Sequence, residues 1–216
     1  MEITWLGHAS FRLRGREGTV ITDPTPRKAG GASRLTATIV TLSHQHPGHS
    51  AVATVGGTFR VISGPGEYEV AGIEIVGVPT FHDAERGKKR GKNTAYVIEL
   101  DDLVVCHLGD LGHVPTTDQL GQMRKIDVLL IPVGGDVTID GAQAVEVISL
   151  IEPKIVIPMH YRTGEGENRL ETVDRFLRDM GVSGAEALPK LSVTASSLPD
   201  VTQVVVLESR SAATAT

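Results

Sequence analysis

A single cysteine, Cys106, is the whole thiol content of the 216-residue chain. One cysteine closes no internal disulfide and rules out the Cys-rich zinc scaffolds. Aromatic residues are scarce: four Phe, three Tyr and one Trp. So few rings make a poor stacking platform for nucleic-acid bases. Positive charge is not in excess either, since 21 Lys and Arg stand against 26 Asp and Glu, a formal charge of −5 at pH 7. The basic footprint of a nucleic-acid binder is therefore missing. No apolar run approaches the ~20 residues of a membrane-spanning helix. The opening Met1-Glu2-Ile3-Thr4-Trp5 has no basic segment leading into an apolar one, so no secretory signal is expected. These absences predict a soluble, cytoplasmic chain with neither a nucleic-acid nor a membrane partner. At 40% hydrophobic content it can bury a sizeable core. Histidine is the exception to the sparseness, with eight copies, as many as all the aromatics.

The first 110 residues read mostly as strands. Ile3–Leu6, Ser10–Arg14, Thr19–Asp23, Thr38–Leu42, Phe59–Ser63, Glu67–Val70, Ile73–Val78, Thr94–Leu100 and Leu103–Leu108 are short, and several alternate or are β-branched. Asp101-Asp102 between two apolar runs predicts a hairpin turn. Beyond residue 110 helix and strand alternate. Thr116 with Gln119, Asp140 with Gln143, and Asn168 with Glu171 predict three helix starts. Asp127–Pro132, Lys154–Pro158 and Val201–Leu207 predict the strands around them. No linker or repeat divides the chain, so residues 1–208 are expected to form one domain with residues 209–216 as a frayed tail. The strand supply suffices for two sheets packed face to face, with the helices covering them.

The chemistry concentrates at strand ends. Ser43-His44-Gln45-His46-Pro47-Gly48-His49 follows an apolar strand and holds three histidines in six residues. In extended chain, residues i and i+2 point the same way, so His44 and His46 can converge. The Pro47-Gly48 turn aims His49 at a second point. Neutral imidazole is the commonest protein metal ligand. Three more apolar strands end in potential ligands: one at His82-Asp83, one at His107-Leu108-Gly109-Asp110, one at Met159-His160-Tyr161. Histidines and carboxylates without a thiolate suit Zn²⁺, Mn²⁺ or iron.

The run His44-x-His46-x-x-His49, followed in order by His82, Asp110 and His160, resembles the metallo-β-lactamase superfamily. More narrowly it is similar to small bacterial metal-dependent hydrolases of the ascorbate-6-phosphate-lactonase-like branch. Trp5-Leu6-Gly7-His8-Ala9-Ser10, Ile21-Thr22-Asp23-Pro24 and Gly91-Lys92-Asn93 match locally, and the resemblance spans residues 1 to 208. It implies an α/β fold, the αβ/βα four-layer sandwich, with two mixed sheets and helices outside. It implies one or two divalent metal ions, Zn or Mn. His44, His46 and His82 would hold the first, Asp110 would bridge, and His49 and His160 would hold the second. Asp110, His49 and His160 would also be the catalytic groups. Asp23 would brace the His-rich loop, and His107 is the alternative third ligand of the first metal. The implied activity is hydrolysis of a small ester, lactone or phosphoester by a metal-activated water.

One position departs from the family pattern. Where the family has His-x-His-x-Asp-His, this chain has Gly48 in place of the aspartate. The loss removes an anionic ligand from the second site, so one firm and one weak or absent metal are expected. Asp83 or Asp136 is a candidate substitute. A member with impaired turnover that only binds metal or ligand is the first rival reading, and a one-iron oxidoreductase is the second. Arg86-Gly87-Lys88-Lys89-Arg90-Gly91-Lys92 is either a solvated loop or a clamp for an anionic substrate, with Arg90 among its cations. His8, His113 and Tyr161 are candidates for lining the site or handling protons, or for simple packing. Cys106, after two valines, reads as a buried small hydrophobe.

Overall fold

The computed structural model describes residues 1–26, 35–123, 125–164 and 169–210. Strands β1 (Glu2–Gly7), β2 (Ser10–Arg14) and β3 (Thr19–Thr22) form an antiparallel meander. Next come β4 (Leu35–Thr36), β5 (Ile39–Leu42), β6 (Val55–Gly56) and β7 (Arg60–Ser63). β5 and β7 add in parallel beyond β3, while β4 and β6 pair only with each other. The remaining strands are β8 (Gly66–Val70), β9 (Ile73–Phe81), β10 (Lys92–Leu100), β11 (Leu103–His107), β12 (Val128–Pro132), β13 (Ile155–Met159), β14 (Leu191–Ser192) and β15 (Gln203–Val204). Two mixed sheets result, ordered β14-β1-β2-β3-β5-β7 and β15-β13-β12-β11-β10-β9-β8. With the few helices, this is the α/β sandwich that the sequence led us to expect.

Helices α1 (Thr117–Gln122) and α2 (Gly141–Ile151) lie in the crossovers that make β11, β12 and β13 parallel. Both start on reciprocal capping boxes, Thr116 with Gln119 and Asp140 with Gln143. α2 buries Ala144, Val147 and Ile148 at helical spacing. The third helix, α3 (Val173–Asp179), has Thr172 at its N-cap rather than the Asn168 expected from sequence, a residue that lies outside the described ones. Its deepest residue is Phe176, fully buried. Residues 211–216 of the expected tail also lie outside the described residues.

Period-two alternation divides the six-stranded sheet. Ile3, Trp5, Phe11, Leu13, Val20 and Ile39 join one core with the second sheet, whereas Leu6, Ile21, Val40 and Leu42 form a separate cluster with Val55. β12 and β13 are buried at every position, as their near-continuous apolar sequences require. Asp101 and Asp102 make the expected hairpin turn, both with positive φ (55° and 60°).

β9 runs to Phe81, three residues beyond the expected end at Val78. Proline cannot donate to a ladder, so the sequence predicts an end before Pro79. β8, however, ends opposite Gly77, so the rest of β9 is a sheet edge. There Pro79 has no neighbour to donate to, and its carbonyl accepts the Gln119 side-chain amide at 2.8 Å. The extension matters because it delivers His82. The final strand is shorter than Val201–Leu207, since only Gln203–Val204 pairs with β13.

The two sheets are tied together at the end where the ligand-bearing loops emerge. The Tyr96 hydroxyl on β10 donates to the Leu42 carbonyl at 2.9 Å. The Thr94 amide reaches the Ser43 carbonyl at 2.8 Å. On the far side the His160 amide donates to the His8 carbonyl at 3.2 Å. No described helix is long and apolar enough to cross a membrane.

Candidate metal centre

Five strands end within one small volume. β3 leads into Asp23, β5 into His44, β9 into His82, β11 into Asp110 and β13 into His160. Ligand sites lie beyond the carboxyl ends of strands in α/β sheets, and both sheets contribute here. Asp110 Oδ2 is the focus. It lies 3.3 Å from His82 Nε2, 3.4 Å from His49 Nε2, and 3.7 Å from both His44 Nε2 and His160 Nε2. Ligand atoms gather into two groups that share this carboxylate, His44 with His82 and Asp110, and His49 with Asp110 and His160.

These separations are long for hydrogen bonds but suit a shared cation. Around a tetrahedral Zn²⁺ with Zn–N near 2.0–2.1 Å, neighbouring donors sit about 3.3–3.4 Å apart. Several buried atoms also lack any partner: His44 Nε2, Asp110 Oδ1, and the Nδ1 atoms of His82 and His160. Buried polar atoms are nearly always satisfied, so the unpartnered His44 Nε2 and Asp110 Oδ1 fit a cation held at this carboxylate. The donor set of imidazoles and one shared carboxylate fits a divalent metal ion.

The remaining sequence candidates are placed as follows. His46 is exposed and folded back, its Nδ1 accepting the Gly48 amide at 3.2 Å. With His44 and His49 it forms a third group of potential metal ligands, apart from the two around Asp110. His107 is fully buried on β11 with Nε2 2.7 Å from the Ala9 carbonyl oxygen, and belongs to neither Asp110 group. Tyr161 packs its ring on Trp5, with centroids 5.0 Å apart, inside the core. His113 accepts the Phe81 amide at Nε2 and places Nδ1 2.8 Å from the Val114 carbonyl, fixing the end of β9. His8 is exposed in a left-handed conformation (φ 49°), its ring 6.2 Å from that of His160. Cys106 is buried, as expected of a small hydrophobe.

Asp83 is no substitute for the missing aspartate. Its Oδ1 accepts the amides of Glu85 and Gly87, and its Oδ2 those of Lys89 and Arg90. Burial raises its pKa, but these four amides outweigh that and hold it down at about 2. Asp136, exposed in the loop after β12, is in none of the ligand groups.

Two positioning residues were not singled out from the sequence. Ser43 links Asp23 to His44: its amide donates to Asp23 Oδ1 at 2.7 Å, its hydroxyl to Asp23 Oδ2, and the same hydroxyl lies 2.9 Å from His44 Nδ1. With the hydroxyl proton on Asp23, Ser43 accepts from His44 Nδ1–H, which leaves Nε2 free toward Asp110. Asn93 holds the loop of Asp110. It accepts the Asp110 amide at 3.0 Å and donates to Thr80 Oγ1 and to the Leu108 carbonyl. Replacing Ser43 by alanine leaves Asp23 Oδ2 and His44 Nδ1 unpaired. The expected costs are about 1–3 kcal/mol of stability and roughly tenfold in metal affinity. Denaturant titration and competition against a zinc chelator read both, and a variant indistinguishable from wild type in each would refute the linkage.

Electrostatics follow from burial. Desolvation raises the Asp110 pKa, but the surrounding histidines, His160 first, hold it well below the ordinary carboxylate value. Desolvation lowers His44 to about 4 against a partial upward pull from Asp110. It lowers His160 and His107 as well. His49 alone goes up, because Asp23 and Asp110 overcome its burial. Between about 4 and 6.5 the unfolded chain carries a proton on His44 that the folded chain lacks, so stability falls as pH drops through that window. His160 and His107 act in the same direction, and His49 partly offsets them. Chelator-treated protein is expected to lose roughly 2 kcal/mol on acidification from pH 7 to 4.5, after allowance for solvent at His44. A denaturation midpoint that stays constant over that range would contradict it.

Comparison with known proteins gives a consistent picture. The Beta-lactamase superfamily domain matches residues 2–160. A UPF0173 metal-dependent hydrolase of Thermococcus onnurineus is 31% identical over 192 residues, 76% of this chain and 85% of the relative. The crystal structure of a protein assigned to the Zn-dependent hydrolases of the metallo-beta-lactamase superfamily, from Thermotoga maritima, superposes with a TM-score of 0.82. It is 42% identical and covers 97% of this chain and 99% of its own. CmlA, a diiron beta-hydroxylase from Streptomyces venezuelae, shares the fold at a TM-score of 0.63 and 15% identity, over 89% of this chain and 54% of its own.

Proposed function

The chain belongs to the metallo-beta-lactamase superfamily and is a metal-dependent hydrolase, and from that premise we propose that it cleaves a small ester, lactone or phosphoester at a centre organised by Asp110. The observation that carries this reading is one carboxylate oxygen facing four imidazole nitrogens at 3.3–3.7 Å. His44, His82 and Asp110 would hold one divalent ion, zinc or manganese. His49, His160 and the same Asp110 would hold a second, with His46 at the rim able to turn inward.

A divalent ion at these residues supplies Lewis acidity to the scissile group and lowers the pKa of water from 15.7 to about 7. The protein's own part is orientation. Asp23 and Ser43 set the His44 ring, Asn93 sets the Asp110 loop, and burial of Asp110 keeps its charge strong. Asp110 is the one anion among the ligands and the acceptor best placed to orient a proton of the attacking water. His8, exposed beside His160, would be the candidate to donate a proton to a leaving group.

Elemental analysis of protein purified without chelator, together with 4-nitrophenyl acetate hydrolysis, tests the reading. We expect at least one zinc or manganese per chain, loss of hydrolysis on chelation and its return with either ion. Hydrolysis insensitive to chelation would defeat the proposal. Tightly bound iron with no esterase activity would favour oxidoreductase chemistry instead.

A further inference from the structure

The segment after His82 carries five cations, Arg86, Lys88, Lys89, Arg90 and Lys92, against two carboxylates, Asp83 and Glu85, in a chain of net charge −5. All five side chains are exposed. Lys89 is paired with Glu85. Among the described residues the other four have no ion pair.

A basic run is ordinarily a mobile solvated loop, but this one is built. The four amides donated to Asp83 wrap the chain around a single buried carboxylate. Gly91 donates to the Gly87 carbonyl at 3.0 Å, which closes the turn. The Gly91 carbonyl in turn accepts the His82 amide at 3.1 Å. Gly87 and Gly91 have positive φ (77° and 90°), and a Cβ on Gly87 would lie 2.8 Å from the Gly91 carbonyl oxygen. The loop is thus tied to the backbone of a residue in the metal centre at both its start and its end.

The internal carboxylate has a second consequence. It takes four of the loop's amides, so the loop's outward side chains are its main means of recognising a ligand. Like charges held this close repel one another, and a bound anion relieves that repulsion. We propose that this loop is the substrate-recognition rim of the centre, and that it takes the phosphate or phosphonate dianion of a small substrate whose scissile group lies at Asp110. The inference rests on the hydrolase reading for what the rim serves, but the binding itself does not depend on turnover. Asp83 acts as the positioning residue that makes the rim, without touching the substrate.

The probe is phenylphosphonate, a dianion that cannot be hydrolysed as an ester, titrated calorimetrically into zinc-loaded protein. The variant R86Q/K88Q/R90Q removes three charges and keeps every backbone bond to Asp83. A control, R60Q/K125Q/R178Q, removes the same charge from exposed positions elsewhere. The expected result is at least tenfold weaker phenylphosphonate binding in the loop variant at 50 mM salt. The deficit should shrink at 500 mM, where the Debye length falls from above ~10 Å to a few ångströms. The control should stay within twofold of wild type. Loop-variant binding within twofold of wild type overturns the proposal, and so does an equal loss in the control. Hydrolysis of 4-nitrophenyl acetate by the same wild-type preparation separates the two readings. No turnover with loop-dependent binding would sustain the rim and remove the ester-cleaving reading of the centre.

Discussion

Asp110→Asn is expected to empty the centre of metal and to lower kcat/KM for 4-nitrophenyl acetate by about 10³-fold or more, as losses of groups essential to the chemistry do. Asp110 belongs to both ligand groups and is their only carboxylate. Asparagine keeps the shape and one acceptor oxygen but removes the only anion that the two ligand groups share, so nothing there offsets the charge of the dications any longer. The fold should survive, because Asp110 is anchored through its backbone amide to Asn93, which the substitution leaves in place. The variant therefore separates loss of metal from loss of structure. Elemental analysis, denaturant titration and kinetics on one preparation decide the matter. Full metal occupancy with activity within tenfold of wild type would show that Asp110 is not the organising ligand.

These candidate ligands are legible in the sequence because a simple physical pattern produces them. Each of His44, His82, Asp110 and His160 follows a short apolar run, and such runs become buried strands whose ends open onto a cleft. The pattern could not tell His46 from its neighbours. His44 and His46 do come together, with rings 5.9 Å apart, yet the chain has already left β5 at Leu42 and His46 is exposed, outside the two groups around Asp110. Alternation holds only while the backbone stays extended. Ser43, Asn93 and Asp83 were harder still, since their roles depend on contacts across 20, 17 and up to 7 positions. Pro79 misled in the opposite direction, because its tolerance rests on where β8 ends in space. The α/β sandwich was recoverable from the order of strands and helices, whereas short pairings such as β4 with β6 carry too little sequence to be seen.

Gly48→Asp is expected to tighten the second equivalent of zinc by roughly 100-fold, because a direct anionic ligand outweighs the 10–100-fold typical of outer partners. Glycine is not required here by backbone conformation, since Gly48 is not among the glycines with positive φ. A Cβ at this position would meet only His46, at 3.2 Å from Nδ1 and 3.4 Å from Cε1. That imidazole is exposed and rotatable, so it can yield, giving up its bond to the Gly48 amide as it does. The His49, Asp110 and His160 group would then gain the charge that it lacks. Two resolved zinc equivalents in the variant, against one tight and one weak in wild type, would mean that the native second site is weak for want of that carboxylate. Hydrolysis at limiting zinc should rise in parallel, because occupancy of the second site limits it there. Identical titrations for the two proteins would mean instead that Asp110 and the two histidines already saturate the site, and that Gly48 belongs to a centre complete without an aspartate.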